Sequence, residues 1–459
     1  SRLADAQEIL FYSPGIEVIK LEPSAGNVIA TVKVLDNCRL GEHVAQVRTA
    51  TGVSEYRTFY VGPYGPSEEK EPNSDFNEPQ PIELNTTVNG VVQNEDVDYY
   101  SVQVKKGQRI AAEVEGMRLG TALFDPYVAI LNSKRFELSS ADDSPLVKQD
   151  AVASAIAAED GTYIIEVRES AYGGNGSCRY RLHVGTFPRP TAVFPAGGKL
   201  GESIEVTFLG DAGGPLKRTF QLPSEPQEKF GLEAADGEAV APSQNTFRLF
   251  EHGNAFEAEP NNEIAVATPV ELPLAFNGII SERGDIDYFK FTAKKGASYE
   301  VECYARRIRS GLDAVMNIYY ADGRSIAGND DSRGPDSYFR FNVPEDGEYV
   351  LRVTDHLGAG ALDYVYRIEM APPKQSLSVS IPRVARYSQY RQWIVVPRGN
   401  KFATLLTASR GGFGGDLVIN DDNLPEGITI LNKEMPSNMN TMPLIFEAAA
   451  DAPISGKLV

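Results

Sequence analysis

The chain of 459 residues carries one long stretch twice. Glu69-Lys-Glu-Pro-Asn73 returns as Glu257-Ala-Glu-Pro-Asn261, and Asp96-Val-Asp-Tyr99 returns as Asp285-Ile-Asp-Tyr288. Lys105-Lys106-Gly107, Asp142-Asp143, Asp160-Gly-Thr-Tyr163 and Tyr180-Arg-Leu182 come back in the same order as Lys294-Lys295-Gly296, Asp330-Asp331, Asp346-Gly-Glu-Tyr349 and Tyr366-Arg-Ile368. The spacing of about 190 residues exceeds any solenoid period, so whole domains are duplicated. Each copy has the size of an independent domain, and the chain is expected to fold as modules in series.

Within each copy the apolar residues recur with period two. Tyr100, Val102 and Val104 alternate with polar residues, as do Phe289, Phe291 and Ala293, and both runs stop at a Lys-Lys-Gly turn. Further short strands are expected at Arg109–Val114 and Ser298–Cys303, Tyr127–Leu131 and Ala314–Tyr319, and Tyr163–Val167 and Tyr349–Val353. No long 3.6-residue pattern interrupts them, and 41 Gly with 29 Pro supply the turns. The fold class is therefore all-β and multi-domain, with antiparallel sandwich or jelly-roll modules in series. The expected division is a partial immunoglobulin-like module at 1–63, a sandwich at 64–186, an immunoglobulin-like spacer at 187–255, a second sandwich at 256–371 and a partial sandwich at 372–459.

A net charge of −19 sets the chain against phosphate backbones and anionic membranes, so nucleic acid is excluded as a partner. No apolar run is long enough to span a bilayer. The first residues lack the basic and apolar regions of a signal peptide, which is expected to have been removed or to lie upstream of a piece of a longer protein. Cys38, Cys178 and Cys303 are too far apart for a disulfide framework and read as small buried residues. The acidic, β-rich composition points to export: secretion, the periplasm or a bacterial cell surface.

Catalytic sets are scarce. His43, His183, His252 and His356 stand in separate modules, and neither a zinc-binding His-Glu-x-x-His nor a Gly-x-Ser-x-Gly nucleophile turn occurs. Asp355-His356 would point to opposite faces of a strand. Gly411-Gly-Phe-Gly-Gly415 lacks the Lys-Ser/Thr of a phosphate loop. Candidate aromatic platforms for a sugar are Trp393, Tyr319-Tyr320 and Tyr387 with Tyr390, although such residues usually serve a core.

The acidic linkers carry the strongest constellation. Pro72 and Pro260 hold the backbone extended, which would align Glu69, Glu71, Asn73 and Asp75 on one side, and Glu257, Glu259, Asn261 and Glu263 in the second copy. Oxygen ligands without His or Cys suit calcium before zinc, and the Asp-x-Asp loops could complete the cage. The competing reading makes these acids solvated linker residues, with Asp98 and Asp287 capping turns.

The ordered set Glu-x-Glu-Pro-Asn, Gly-x-Ile/Val, Asp-x-Asp-Tyr-Tyr/Phe, Lys-Lys-Gly, Asp-Asp and Asp-Gly-x-Tyr resembles the bacterial pre-peptidase C-terminal domain, or PPC. That family is a jelly-roll sandwich appended to secreted proteases and other exported proteins, and collagen-binding domains of bacterial collagenases resemble it. The spacers resemble TIG/IPT immunoglobulin-like modules; the last module resembles only a generic sandwich. The resemblance implies calcium at Glu69, Glu71, Asn73, Asp96 and Asp98, and at Glu257, Glu259, Asn261, Asp285 and Asp287, although many family members show no metal dependence. Ser74 and Asn262 stand where the calcium-binding branch often has Asp. The expected role is non-catalytic: spacer or binding modules for an extracellular polysaccharide or protein. The alternative is an accessory region of an exported peptidase or glycosidase whose catalytic domain lies elsewhere.

Overall fold

The computed structural model describes residues 3–227, 229–382 and 394–456. They form two compact units, 62–372 and a second built from 1–61 with 373–459. The only helical elements among them are four 3-10 turns, and no helix is long and apolar enough to cross a membrane.

The 62–372 unit opens with two facing five-stranded sheets. One runs Val152–Ile156, Arg109–Glu115, Arg179–Gly185, Thr86–Val91 and Gly65–Glu68; the other runs Glu137–Ala141, Pro126–Asn132, Gly161–Glu169, Val97–Val104 and Gln80–Pro81. The same order recurs after the spacer, as Tyr338–Asn342, Ser298–Tyr304, Val365–Ala371, Leu274–Ile279 and Asn254–Phe256 facing Ser325–Asn329, Ala314–Tyr320, Gly347–Asp355, Ile286–Ala293 and Thr268–Pro269. Each pair of sheets buries an apolar core, around Val102, Ile110, Val128 and Ile165 in the first and Phe291, Val301, Ile318 and Leu351 in the second. Period-two alternation explains it, because Val97–Val104 and Ile286–Ala293 both turn every second side chain inwards.

Between the sandwiches, Ser203–Leu209 pairs with Ala192–Phe194 and Leu216–Gln221 over a core of Val206, Phe208, Leu232 and Phe247. This spacer is fused to both neighbours. Towards the first sandwich, the wholly buried Arg189 pairs with the wholly buried Glu113, which also takes Arg118 at 3.0 Å and the Ser243 hydroxyl. Arg118 binds Asp150 as well, and Arg109 reaches Asp211 at 2.9 Å. Towards the second, Arg248 lies over the Tyr304 ring and pairs with Glu369 at 3.0 Å, while Ala192, Ala196, Tyr304, Ile308 and Val365 share an apolar cluster.

Beside the first joint, Glu115 sits among charges. Burial alone would raise its pKa, but His183, Arg118 and Arg181 hold it down to about 2. A folded-state pKa below the ordinary 4.5 stabilises the fold above that pH, and the contribution is lost as pH falls towards 2. Acid unfolding followed by circular dichroism is therefore expected to show roughly 3 kcal/mol lost across this window. Glu115→Gln should flatten that limb; an unchanged acid limb would refute the assignment.

In the other unit, Ala6–Phe11, Gly41–Thr49 and Arg57–Val61 form a three-stranded sheet, with Ile16–Pro23 and Val28–Val34 as a separate hairpin. Ser376–Ser380, Lys401–Gly411, Thr441–Ala448 and Ile428–Ile430 make a four-stranded sheet over Ile430, Leu444 and Phe446. Cys178 and Cys303 are buried as expected, whereas Cys38 is only half-buried, because it lies in the turn after Val28–Val34. Trp393, Tyr387 and Tyr390 lie outside the described residues. Tyr320 packs on Tyr349 beneath Arg324 and offers no open platform.

Candidate metal centre

The alternation that builds Val97–Val104 also places Asp98 on its inward side, together with Tyr100, Val102 and Val104. Asp287 occupies the same place in Ile286–Ala293. Both are fully buried and accept from tyrosine hydroxyls, Tyr180 and Tyr366, rather than from a local backbone N–H. Turn capping falls to the first acid of each Asp-x-Asp. Asp96 accepts from the Gln93 N–H and the Ser74 hydroxyl, and Asp285 accepts from the Ser281 N–H and hydroxyl.

Against each buried aspartate the linker brings two glutamates. Carboxylate oxygens of Glu69, Glu71 and Asp98 lie within 4.8 Å of one another, and those of Glu257, Glu259 and Asp287 do the same. The first glutamate of each set is pinned by a backbone donor: the Val91 N–H reaches Glu69 at 3.0 Å, and the Ile279 N–H reaches Glu257 at 3.0 Å. The second accepts from the backbone N–H of the buried asparagine two residues on, Asn73 at 3.1 Å and Asn261 at 2.9 Å. Gly90 and Gly278 have a role here, since a Cβ at either would run into Tyr180 or Tyr366. Those tyrosines pass over the glycines and donate to Asp98 at 2.7 Å and Asp287 at 2.6 Å.

Of the twelve acids and amides picked out in the sequence, Glu69, Glu71, Asn73 and Asp98 converge, as do Glu257, Glu259 and Asp287, with Asn261 joined to Glu259 through its backbone N–H. Asp96 and Asp285 stand alongside as loop caps. Asp75 and Glu263 do not join, because extended alternation ends at the asparagine: Asp75 accepts from the Asn77 N–H in a turn, and Glu263 leads into the 3-10 turn Ile264–Val266. Ser74 and Asn262 tie the linker to the Asp-x-Asp loop instead, the latter through the Ile286 N–H at 2.8 Å. Tyr100 reads in the sequence only as an alternating strand residue, and Tyr180 and Tyr366 only as parts of recurring motifs; their place at the clusters shows in the fold.

The electrostatics are those of acids forced together. Burial, then the charge of Glu69, pushes Asp98 up to about 9. Burial and the neighbouring Asp287 carry Glu257 to about 9, and burial raises Asp287 as well. No Lys or Arg is among the named contacts of either cluster to offset this charge. In the second copy Asp285 Oδ1, Asp287 Oδ1 and both amide atoms of Asn261 are buried without a hydrogen-bond partner. Oxygen donors only, crowded, anionic and partly unsatisfied, fit a hard cation of the calcium type.

Other candidates dissolve into structure. Asp142 accepts from its own loop, and Asp142, Asp143, Asp330 and Asp331 of the recurring Asp-Asp motif are exposed. Asp355 caps the loop that begins at the exposed His356.

Residues 285–355 match the bacterial pre-peptidase C-terminal domain. Over 101 residues, 21% of this chain, the sequence is 37% identical to a probable subtilase-type serine protease of Deinococcus radiodurans, of which it spans 14%. Among solved structures, the pre-peptidase C-terminal domain of a Bacillus anthracis collagenase is similar at 17% identity, over 25% of this chain and 98% of that one, with a TM-score of 0.20. A periplasmic inhibitor of g-type lysozyme from Aeromonas hydrophila is similar at 14% identity, over 26% and 99%, with a TM-score of 0.18.

Proposed function

We propose that this chain is a non-catalytic accessory region of an exported peptidase, a series of β-sandwich modules whose acidic linkers act as calcium clips. The observation that carries the accessory reading is the pre-peptidase C-terminal match at 285–355, together with a stretch of likeness to a protease far longer than this chain. Support for the clip comes from the unsatisfied oxygens around Asp287. Glu257, Glu259, Asn261 and Asp287 would hold the ion, with Glu69, Glu71, Asn73 and Asp98 as the counterpart set. Calcium supplies charge neutralisation there. The residues supply the rest: each glutamate pair lies in the crossover between the two edge strands, Gly65–Glu68 to Gln80–Pro81 and Asn254–Phe256 to Thr268–Pro269, and each aspartate in a core strand, so a shared ion would fasten the crossover to the sandwich core.

A partner of the array is an extracellular polysaccharide or protein. The catalytic work belongs to another part of the parent protein, and the chain itself is expected to hydrolyse nothing, because its histidines are dispersed and, among the described residues, groups of three close carboxylates occur only at the clips. A broad panel of peptidase, esterase and glycosidase substrates should show no turnover. Turnover abolished by a single Asp or Glu substitution would place an active site in this chain and overturn the reading.

A further inference from the structure

We infer that the two clips differ in strength, the one at Glu257, Glu259, Asn261 and Asp287 filling first, and that Tyr100 is the residue that holds the other back. The inference rests on the calcium reading above. Tyr100 and Phe289 occupy the same place, two residues after the buried aspartate on matching strands. Tyr100 donates to Glu69 Oε1 at 3.3 Å and shares a hydroxyl contact with Tyr180, which lies 3.1 Å from the same oxygen and 2.7 Å from Asp98 Oδ2. Phe289 brings no hydroxyl, and Tyr366 spends its one proton on Asp287 Oδ2.

The asparagines differ in the same sense. The Asn73 amide stands 3.1 Å from Glu71 Oε2 and 3.3 Å from Asp98 Oδ1, where its NH2 end satisfies both carboxylates and only a turned amide offers its oxygen to an ion. Neither end of the Asn261 amide has a partner. The first clip can thus saturate its own oxygens with protein donors, and an ion must displace them. The second has neither a second tyrosine hydroxyl nor a paired asparagine amide for an ion to displace. Giving up one hydrogen bond to a charged acceptor corresponds to about tenfold in affinity.

The test is calcium titration by calorimetry into the full chain after removal of divalent ions. Two single-ion events about tenfold or more apart are expected. Glu259→Gln, a change at an exposed residue, should remove the tighter event and leave the weaker. Tyr100→Phe should tighten the weaker event, and Phe289→Tyr should weaken the tighter, so a variant that misfolds still leaves the reverse exchange to decide. Two events of equal affinity, or a separation indifferent to both exchanges, overturn the inference while leaving the clips in place. A chain that gives no heat and no thermal shift with calcium overturns the clip reading, and this inference falls with it.

Discussion

Replacing Glu113 by leucine is expected to destabilise the 62–372 unit by about 3–5 kcal/mol, the range for a buried charge stripped of its partner. Glu113 is the acid paired with Arg189, and both side chains are wholly buried between the first sandwich and the spacer. Without the carboxylate, Arg189 retains a contact to the Ser243 carbonyl at 3.2 Å and only the weaker charge of Glu115 in place of its direct ion pair. Arg118 loses less, because Asp150 remains beside it. Denaturant unfolding should show the drop, and Arg189→Met on top of Glu113→Leu should recover much of it, since an apolar pair of similar volume replaces a desolvated ionic one. The second sandwich provides the contrast. Glu302 pairs with Arg307 in the corresponding place, but both are partly exposed and Arg307 keeps Asp336. Glu302→Leu should therefore cost only about 1 kcal/mol or less. Equal effects of the two substitutions would mean that water reaches Arg189 and that the joint is not sealed.

The strands and the acid clusters are legible in the sequence for a common reason: both follow from period-two alternation and from motifs that recur at fixed spacing. Asp98 falls into phase with Tyr100 and Val102, so the pattern that marked the strand already turned this carboxylate inwards. Extrapolating the extended linker past Asn73 and Asn261 was the step that failed, because Asp75 and Glu263 enter turns stabilised by local backbone hydrogen bonds. The joints were not legible. Glu113, Arg118 and Asp150 have counterparts in Glu302, Arg307 and Asp336, yet nothing local distinguishes a Glu that faces solvent from one that faces a module contributed by residues far along the chain. Arg189, a spacer residue, is buried only through its packing against Glu113 of the first sandwich, and Cys38 is half-buried because a turn, not a strand, holds it.

Adding calcium to chain stripped of divalent ions is expected to raise its melting temperature by roughly 5 °C near pH 8, and by less near pH 5. Asp98 and Glu257 have folded-state pKa values raised to about 9. Between the ordinary carboxylate range near 4 and that value, the folded chain holds protons that the unfolded chain has released. Stability without the ion is therefore greatest at the acid end of this interval and falls as pH rises through it. Calcium replaces those protons, so its contribution grows in the same direction, and its binding at pH 7 should release protons that buffers of different ionisation enthalpy would reveal. Magnesium should do less, since it dehydrates reluctantly and demands a tighter octahedral set. Glu71→Gln combined with Glu259→Gln should abolish the thermal response without disturbing the cores, both side chains being exposed. If the melting temperature of stripped chain is flat from pH 5 to 9 and indifferent to calcium in parent and double variant alike, the glutamates are solvated linker residues and the ion has no place in the fold.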